Sequence, residues 1–391
     1  MTELFIQKNK DNKQIAISEN GKLIEYYEEN KESKRREGNI YIGVVRNIIK
    51  GMQAAFVDIG TEKNSFIYVK DVLPKIDETK SEKIKLKDIN EVVKNGQRLL
   101  VQVKKDSNDQ KGARISTHIN LPGKYIALKP ESDVITISKK IENIKEKERL
   151  LKLVKENLSN GNGAIIRTSA EGKEKEIIEE IKTLENKWNN IKKKSENVEK
   201  PKLISESESI EEKIIIDLIE KDLGTIEIND KKELEKIKDI VSKETKIEFK
   251  ENKEILSKYD LYKQIEKIKN RKVWLKSGGF ITLDKTEALT AIDVNTGKFT
   301  GNNNLEETVF KVNKEATIEI AKQIRLRDIG GIIIIDYIDM HNQEHKEKIQ
   351  SLLEEELRKD RAKTQIEGFT KLDLMEMTRK HICSHKEIER K

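Results

Sequence analysis

Two stretches decide the fold of the chain: GGFITLDKTEALTAIDVNTG at residues 278–297 and GGIIIIDYIDM at residues 330–340. In the first stretch, alternation with a period of two places Asp293 and Asn295 on one face of a strand, opposite apolar neighbours. In the second, four consecutive isoleucines need burial on both faces, which is typical of a central parallel strand, and Asp336 ends the run. The two stretches therefore predict an α/β layer with at least one parallel pair of strands.

A long helix is predicted to join these two strands. We place Asn304 at its N-cap and Glu307 at its third helical position, a variant of the capping box. Its apolar stripe consists of Leu305, Val309, Val312, Ala316 and Ile320. Because the stripe is continuous, we expect the helix to pack on the sheet and to return the chain to it. Another helix is predicted from about residue 343 to residue 362.

Asp293 and Asp336 are the candidate metal ligands of this layer. In open α/β sheets ligands gather at the carboxyl ends of strands, so these two carboxylates can converge there. Neighbouring carboxylates repel unless a cation lies between them, and oxygen ligands favour Mg²⁺ or, as an alternative, Mn²⁺. Such a site suits hydrolysis of a phosphodiester by a metal-activated water. The competing interpretation is that acidic residues at strand ends, Asp339 included, are turn formers or helix caps.

The composition limits the remaining classes of function. The 391 residues carry a net charge of +7, and the apolar residues come in periodic runs although they make up only 35% of the chain. This pattern excludes a chain that is disordered throughout. No stretch is apolar enough to span a membrane and no secretory signal is recognised, so we expect a soluble, cytoplasmic protein. The single cysteine, Cys383, excludes an internal disulfide framework and a zinc site built from several thiolates of one chain.

Upstream of this layer the chain divides into smaller units. From Gly38 to the segment RLLVQVKK, short strands separated by glycine and polar turns predict a small all-β barrel, with the OB-fold as the candidate. Past Lys111, short strands and two charged helices predict a compact α/β insert. The polar segment KSENVEKPKLISESESIEE, which contains Pro201, is expected to be a linker or an exposed loop.

Three blocks of the sequence strongly resemble the bacterial ribonuclease E/G family. They are SGGFITLDKTEALTAIDVNTGKFTG, LEETVFKVNKEATIEIAKQIRLRDIGGIIIIDYIDM and DRAKTQIEGFTKLDLMEMTRK. These blocks are long and family-specific, and weaker similarity extends over almost the whole chain. The length of the chain, without a long disordered C-terminal half, favours the ribonuclease G branch.

The resemblance implies a multidomain fold of α/β and β units. Residues 1–36 and 205–270 would form an RNase H-like structural subdomain that lacks its own active site. An S1-type OB barrel at residues 37–115 and a 5′-sensor subdomain at residues 116–204 would be inserted into it. Residues 271–391 would form a DNase I-like α/β catalytic subdomain.

By the same resemblance, the chain is expected to be a Mg²⁺-dependent endoribonuclease that cuts single-stranded RNA and is stimulated by a 5′-monophosphate. The residues matching Asp293 and Asp336 hold Mg²⁺ in the family, and the residue matching Asn295 positions the reacting phosphate. Water attacks phosphorus, which leaves a 5′-phosphate on the downstream product and a 3′-OH on the upstream one. The expected substrates are rRNA and tRNA precursors and mRNA, in RNA processing and decay.

The barrel is expected to bind RNA through Phe56, Phe66 and Lys111, which match the RNA-contacting positions of the family. Alternation supports the aromatic pair, because it places Phe56 on the side of Asp58 and Phe66 on the side of Tyr68. Aromatic rings on a polar face are candidates for stacking on bases. The competing interpretation is that both rings are ordinary core residues.

The expected 5′-sensor contains Arg167 and Thr168, which match the family's pair that hydrogen-bonds a terminal monophosphate. A guanidinium fork beside a hydroxyl suits the several acceptors of a phosphate. Gly123 matches a backbone contact of the same pocket. Lys363 matches a sensor position where some members have Arg, so a bidentate contact there would become a single point charge. Without the resemblance, an Arg after a buried strand indicates only a solvated or salt-bridged residue.

One departure from the family pattern concerns zinc. Family members usually continue into a CPxC-type pair whose cysteines bind zinc between two protomers, whereas this sequence has only Cys383. The cluster of His381, Cys383 and His385 does not match that pair, and a disordered tail is expected there. We therefore expect no zinc and no zinc-linked dimer, while a homo-oligomer held in another way is compatible with the sequence.

Two other classes of function are left open. The first is a non-catalytic RNA-binding scaffold, against which the intact Asp293, Asn295 and Asp336 count. The second is a nuclease that acts on DNA, because the architecture of the catalytic subdomain is shared with DNA-cutting enzymes. The RNA-binding barrel counts against that second class.

Overall fold

The chain folds into mixed α/β structure with a closed β-barrel. The computed structural model describes residues 1–30, 36–72, 88–107, 111–138, 140–218, 223–238, 240–241, 245–251, 253–297 and 305–383. Two compact units are present, a first unit of residues 1–34 with 210–391 and a second unit of residues 35–209. The described part of the chain holds no helix long and apolar enough to cross a bilayer.

The elements are numbered in chain order. The strands are β1 Thr2–Lys8, β2 Asn12–Glu19, β3 Lys22–Asn30, β4 Ile40–Ile49, β5 Ala54–Asp58, β6 Ser65–Tyr68, β7 Arg98–Lys105, β8 Arg114–Ser116, β9 Leu121–Pro122, β10 Ile126–Lys129, β11 Ile135–Ile137, β12 Gly163–Ile166, β13 Lys202–Ser205, β14 Leu223–Ile228, β15 Lys246–Phe249, β16 Lys272–Trp274, β17 Phe280–Lys285, β18 Leu289–Asn295, β19 Gly331–Asp336, β20 Thr364–Phe369 and β21 Leu374–Arg379. The helices are α1 Ile89–Val92, α2 Ile144–Asn157, α3 Lys175–Glu196, α4 Ile210–Leu218, α5 Lys231–Ile237, α6 Leu261–Ile268, α7 Leu305–Leu326 and α8 Gln343–Leu357.

A five-stranded barrel forms one half of the second unit. Its strands follow the order β4-β5-β6-β8-β7, and β7 pairs with β4 to close the sheet. Alternation turns one side chain in two toward the interior, and Val57, Ile67 and Ile115 are fully buried there. Closure removes the exposed strand edges of an open sheet. The barrel fits the S1/OB type expected from the sequence.

The segment around Pro201 is only in part the linker or loop that its composition predicts: residues 197–201 and 206–209 are irregular, but residues 202–205 form a strand. Strand β13 follows Pro201 directly and pairs antiparallel with β4 at the edge of the barrel sheet. Among its side chains only Ile204 is buried, while Lys202 and Leu203 are exposed. A short edge strand with one inward apolar residue has a composition like that of a loop, which explains why the strand was not predicted.

The other half of the second unit is an α/β layer. Strands β11, β12, β10 and β9 form a mixed sheet in that order, with β11 and β12 parallel. Helices α2 and α3 cover it with their apolar stripes, and Leu150, Ile181 and Trp188 are buried in the common core. The strands and helices predicted past Lys111 are therefore present.

In the first unit, β15-β14-β1-β2-β3 form a sheet that is covered on both faces. Successive residues of β1 point to opposite sides, so Leu4 and Ile6 pack with α4 and α5 while Phe5 packs with α6. The second sheet of this unit has the order β16-β17-β18-β19-β21-β20, and only β18 and β19 run parallel. Helices α7 and α8 cover one of its faces.

The sequence predictions for this second sheet agree with the structure at most points. The stripe residues Val309, Val312, Ala316 and Ile320 of α7 are buried against the sheet, whereas Asn304 and the side chain of Leu305 lie outside the described residues. Helix α8 ends at Leu357, earlier than predicted. The finer subdomain boundaries predicted from the sequence subdivide the two compact units and stay a prediction.

Candidate active site and RNA-binding surfaces

The two aspartates singled out by the sequence lie side by side. Asp293 near the end of β18 and Asp336 at the end of β19 are register partners in the parallel pair. Neighbouring strands lie about 4.8 Å apart, so residues in register carry their side chains next to each other on the same face. Both carboxylates are exposed, while Ile292 and Ile335 beside them are buried in the core. The strand ends thus present two carboxylates to solvent.

Asn295 joins this pair from the same face of β18. Its Nδ2 donates a hydrogen bond to Oδ2 of Asp293, with 2.5 Å between the two atoms. This contact holds one carboxylate oxygen of Asp293 and orients the amide beside it. Together, the three side chains offer two carboxylates and an amide oxygen, which are hard oxygen donors suited to Mg²⁺.

The electrostatics of the pair match a cation site. The pKa of Asp336 is raised above its usual value, first by partial burial and then by the negative charges of Asp293 and Asp339. A divalent cation would offset this repulsion. No group of three His, Cys, Asp or Glu side chains in the described residues converges as a metal site. Two carboxylates are nonetheless a common protein contribution to Mg²⁺, which usually keeps several waters.

Asn313 of α7 holds the chain directly after Asp336, and sequence reasoning missed it. Its side chain is fully buried; Nδ2 donates to the carbonyl oxygen of Ile338 at 2.8 Å, and the N–H of Ile338 donates to Oδ1 at 3.1 Å. The signal was available, because Asn313 lies at a helical spacing of four from Val309 and three from Ala316, inside the apolar stripe. A polar residue in such a stripe requires buried partners.

Glu306 fixes the next part of this loop, and sequence reasoning missed it as well. Its carboxylate accepts hydrogen bonds from the backbone N–H of His341 and of Asn342, at 3.3 and 3.1 Å. The ring of His345 lies 3.2 Å from the same carboxylate through Nδ1 and stacks on Phe310 with ring centres 4.2 Å apart. Helix α7 therefore holds residues 337–342, which include Asp339, at two points.

The barrel carries an aromatic and basic surface at the expected positions. Phe56 and Phe66 are cross-strand partners on β5 and β6, with Phe56 36% exposed and Phe66 partly exposed. Tyr68 packs edge-on against Phe66, with ring centres 5.5 Å apart, and the guanidinium of Arg114 lies 5.6 Å from the Tyr68 ring centre. Neither phenylalanine is an ordinary core residue. Lys111 is exposed near the start of β8.

Three of the four predicted sensor residues lie together in the second unit. Arg167 and Thr168 follow β12, and the backbone N–H of Arg167 donates to the carbonyl oxygen of Tyr125 at 2.8 Å, next to the turn that holds Gly123. Arg167 is partly exposed, and no described residue accepts a hydrogen bond from its guanidinium. Thr168 is exposed, and its hydroxyl lies 3.1 Å from that of Ser138.

Gly123 packs closely against the carboxylate of Glu180. A Cβ at this position would lie 2.5 Å from the carboxyl carbon of Glu180. That carboxylate accepts the backbone N–H groups of Lys124, Tyr125 and Ile126, at 2.5, 2.8 and 2.8 Å. The N–H of Gly123 itself donates to the carbonyl oxygen of Ile126 at 2.8 Å. Lys363, the fourth predicted sensor residue, is exposed and belongs to the first unit, directly before β20.

The last described residues are not the disordered tail expected from the sequence. Cys383 is 2% exposed and packs in the core of the first unit, and its backbone N–H donates to Oδ2 of Asp328 at 2.7 Å. Nδ1 of His381 lies 2.9 Å from the carbonyl oxygen of Asp328. The prediction was wrong because these contacts join residues far apart in sequence. His385 lies outside the described residues.

These features define a class of protein: a barrel with exposed aromatics in one unit, and paired carboxylates at parallel strand ends in the other, are typical of a nuclease. The family model of the ribonuclease E/G family matches residues 120–382. The chain belongs to the ribonuclease E/G family, and its enzymatic class is endoribonuclease.

Individual relatives support the same assignment. Ribonuclease G of Escherichia coli is 37% identical over 388 residues, which cover 97% of this chain and 79% of the relative. Ribonuclease G of Haemophilus influenzae is 38% identical over 389 residues, with the same shares. Ribonuclease E of Nostoc is 33% identical over 390 residues, or 94% of this chain and 56% of the relative. The higher similarity to the ribonuclease G proteins confirms the branch expected from the sequence.

Proposed function

We propose that the chain is a Mg²⁺-dependent endoribonuclease that cuts single-stranded RNA and is stimulated by a 5′-monophosphate. Its products would carry a 5′-phosphate downstream of the cut and a 3′-OH upstream. The observation that carries this proposal is the register pair of Asp293 and Asp336 at the ends of β18 and β19, with Asn295 bonded to Asp293.

Asp293 and Asp336 would hold the Mg²⁺ through carboxylate oxygens, with waters in the remaining positions. When bound, the ion supplies an activated water and neutralises charge that develops on the phosphate. Asn295 holds Asp293 through its amide N–H, and its amide oxygen would help to position the reacting phosphate. Asn313 and Glu306 hydrogen-bond the loop directly after Asp336 and would help to hold Asp336 in place before substrate binds.

The barrel would bind the RNA strand by stacking and charge. Phe56 and Phe66 present partly exposed rings on adjacent strands, and bases of any sequence stack on such rings. Lys111 would contribute a phosphate contact. In the sensor, Arg167 and Thr168 would bind a terminal monophosphate with a guanidinium fork and a hydroxyl, beside the turn at Gly123. Lys363, the fourth sensor residue implied by the resemblance, belongs to the first unit, and its role stays a prediction.

The same proposal covers architecture and cellular role. The sheet of β15-β14-β1-β2-β3 would be the RNase H-like subdomain, and the sheet with the aspartates would be the DNase I-like catalytic subdomain. The substrates would be rRNA and tRNA precursors and mRNA in the cytoplasm. No thiolate zinc site is proposed for the described residues, because Cys383 is buried in the core.

The test is cleavage of one labelled single-stranded RNA with 5′-monophosphate, 5′-triphosphate or 5′-hydroxyl ends, with and without Mg²⁺. We expect Mg²⁺-dependent cutting that is fastest on the monophosphate, and loss of that preference in Arg167→Ala. Asp293→Asn should reduce cutting about a thousand-fold or more, since several kcal/mol of charge stabilisation are lost, while RNA binding is kept. Asp284→Asn is the matched control. Asp284 lies on β17 on the same face of the sheet as Asp293, but its carboxylate pairs with Arg271 and is not part of the proposed site. Undiminished cutting by Asp293→Asn would refute the proposed site.

A further inference from the structure

Strand β16 presents an exposed tryptophan that the proposed catalytic site does not use. Trp274 is 63% exposed. Its ring packs edge-on against that of Phe280 on β17, with ring centres 5.4 Å apart. The ammonium of Lys272 lies 4.0 Å from the ring centre of Trp274 and 3.4 Å from that of Phe280. We call these three residues the aromatic platform.

The register of the sheet places the aromatic platform on the face of the catalytic residues. Trp274 is the cross-strand partner of Phe280, and Phe280 is the partner of Asn295. Cross-strand partners point to the same side of a sheet. Because adjacent strands lie about 4.8 Å apart, the backbone of Trp274 lies about two strand spacings from that of Asn295.

A second row of partners leads from the platform to the metal ligands. Lys272 is opposite Thr282, Thr282 is opposite Asp293, and Asp293 is opposite Asp336. The lysine therefore stands on the same face as both carboxylates. No described residue forms an ion pair with Lys272. Its ammonium group instead makes cation–π contacts with the rings of Trp274 and Phe280.

The opposite face of these strands explains why the rings stay exposed. Ile281 and Leu283, which alternate with Phe280 and Thr282, are fully buried in the core beneath α7, and Val273 packs against the same core. The alternation leaves Trp274 on the face away from the helices, in contact with Phe280 and Lys272. An indole exposed to this extent keeps a free ring surface for stacking.

We propose that the aromatic platform is a subsite for the RNA strand next to the cut, in which Trp274 stacks on a base and Lys272 contacts the adjoining phosphate. This inference rests on the proposed nuclease function. The chemistry fits single-stranded RNA, because every base offers a ring face for stacking and the backbone is anionic. The platform and the residues Asp293 and Asn295 lie in neighbouring rows on one face of the sheet. This arrangement favours an RNA strand, which has to reach both, over a protein partner, which would not need to lie next to the carboxylates.

The two tryptophans of the chain allow a direct test. Trp188 is 5% exposed in the core of the second unit, so it serves as the internal control for Trp274. A short single-stranded RNA is titrated into the Asp336→Asn variant with Mg²⁺ present, and binding is followed by the anisotropy of a dye on the RNA. We expect tryptophan emission to be quenched with the same midpoint as the anisotropy. The quenching should persist when Trp188→Phe is added and disappear when Trp274→Phe is added.

Cutting by otherwise unmodified protein gives the second measurement. Trp274→Ala should raise KM about five-fold or more, the effect of one lost base stack, with kcat little changed. Trp274→Phe should restore most of the loss. Lys272→Gln should lower the slope of log affinity against log salt by about 0.7, as for one lost phosphate contact with a single strand. Phe249→Ala is the matched control, because Phe249 is an exposed ring on β15 of the other sheet.

Several results would overturn the subsite. If RNA binds and is cut while the emission of the Trp188→Phe protein does not change, the subsite is wrong and the nuclease stands. If sedimentation shows that Trp274→Ala dissociates an oligomer, the platform contacts a second copy of the chain instead. If RNA is neither bound nor cut by the wild-type protein, the subsite and the proposed function fail together.

Discussion

At the scale of single residues, the guanidinium of Arg379 is buried between two carboxylates in the first unit. Its Nη1 donates to Oδ1 of Asp328 and its Nε to Oδ2 of Asp360, each at 2.7 Å, and all three side chains are at most 2% exposed. Asp328 also accepts the backbone N–H groups of Ile382 and Cys383. The cluster therefore ties the end of β21 to the segment that leads into β19, the strand that ends with the proposed metal ligand Asp336.

Replacing Arg379 tests how much this cluster stabilises the fold. Arg379→Leu leaves Asp328 and Asp360 buried without their cation, so the free energy of unfolding should fall by about 3–5 kcal/mol. The measurement is urea unfolding followed by circular dichroism. Arg271→Leu is the control, since its pair with Asp284 is exposed and should contribute about 1 kcal/mol or less. Similar small losses in both variants would contradict the structural role of Arg379.

At the scale of elements, α7 packs beneath β18 and β19, which carry the proposed catalytic residues, and also holds the loop that follows β19. Its apolar residues fill the core under β18 and β19. Its polar residues Asn313 and Glu306 bond the backbone of Ile338, His341 and Asn342. One helix thus couples the packing of the sheet to the position of the loop beside Asp336.

Asn313→Leu should separate these two roles. The substitution fills a similar volume with an apolar side chain but removes both hydrogen bonds to Ile338. A buried backbone group left without a partner costs about 1–3 kcal/mol. We expect lower stability by that amount and a cutting rate reduced about ten-fold at saturating enzyme, with RNA affinity little changed. Thr317→Val is the matched control, because Thr317 lies one turn further along α7 and contacts the hydroxyl of Tyr337 instead. A normal cutting rate in Asn313→Leu would show that the loop needs no such support.

Local patterns were enough to predict the elements that position the aspartates. The four isoleucines predicted a central parallel strand, and β19 does lie between two strands, parallel to β18 and antiparallel to β21. The predicted burial on both faces was wrong: Ile333 and Ile335 are buried, whereas Ile332 is 49% exposed and Ile334 is partly exposed, because helices cover only one face of this sheet. The period-two alternation of AAFVD correctly turned Phe56 outward and Val57 inward. That Asp293 and Asp336 come close follows from their positions near the carboxyl ends of adjacent parallel strands, whereas their exact register was not predicted.

Contacts between distant segments could not be predicted in the same way. Strand β13 has one buried residue, Ile204, and is a strand only because it pairs with residues 40–42 of β4, the part of β4 that β5 does not pair with. Buried Cys383 depends on Asp328, which reads in the sequence as an ordinary turn residue. Trp274 was not singled out, because the sequence does not reveal that β16, which carries it, is separated from β18, which carries Asn295, by a single strand. Each case depends on which distant segments lie next to each other, and no local period in the sequence encodes that.

At the scale of the whole molecule, each unit contains carboxylates that the fold keeps ionised. In the second unit, hydrogen bonds from Arg149 and from the backbone N–H of Gly172 lower the pKa of Glu146 to about 2. In the first unit, the backbone N–H groups of Asn342 and His341 and the ring of His345 lower the pKa of Glu306 below its usual value. Protonation therefore opposes the folded state of both units.

The sign of the resulting pH dependence follows from linkage. A carboxylate whose pKa is lower in the folded chain than its ordinary value of 4.5 stabilises the fold fully above pH 4.5, and this contribution is lost as the pH falls toward the folded value. For Glu146 the window runs from about pH 4.5 down to about pH 2. We expect the melting temperature to fall steadily through this window, as measured by calorimetry.

Single substitutions assign the acid sensitivity to each unit. Glu146→Gln should lower stability at pH 7 and flatten the decline between pH 4.5 and pH 2, because the side chain no longer gains a proton there. Glu306→Gln should flatten the decline in the same direction and also slow cutting at neutral pH, since the loop after Asp336 loses its charged acceptor. Glu148→Gln is the control, as Glu148 is an exposed residue of α2. If Glu146→Gln and Glu148→Gln both showed the wild-type dependence of melting temperature on pH, the bond between Glu146 and Arg149 would not stabilise the fold. The acid sensitivity would then have to arise elsewhere.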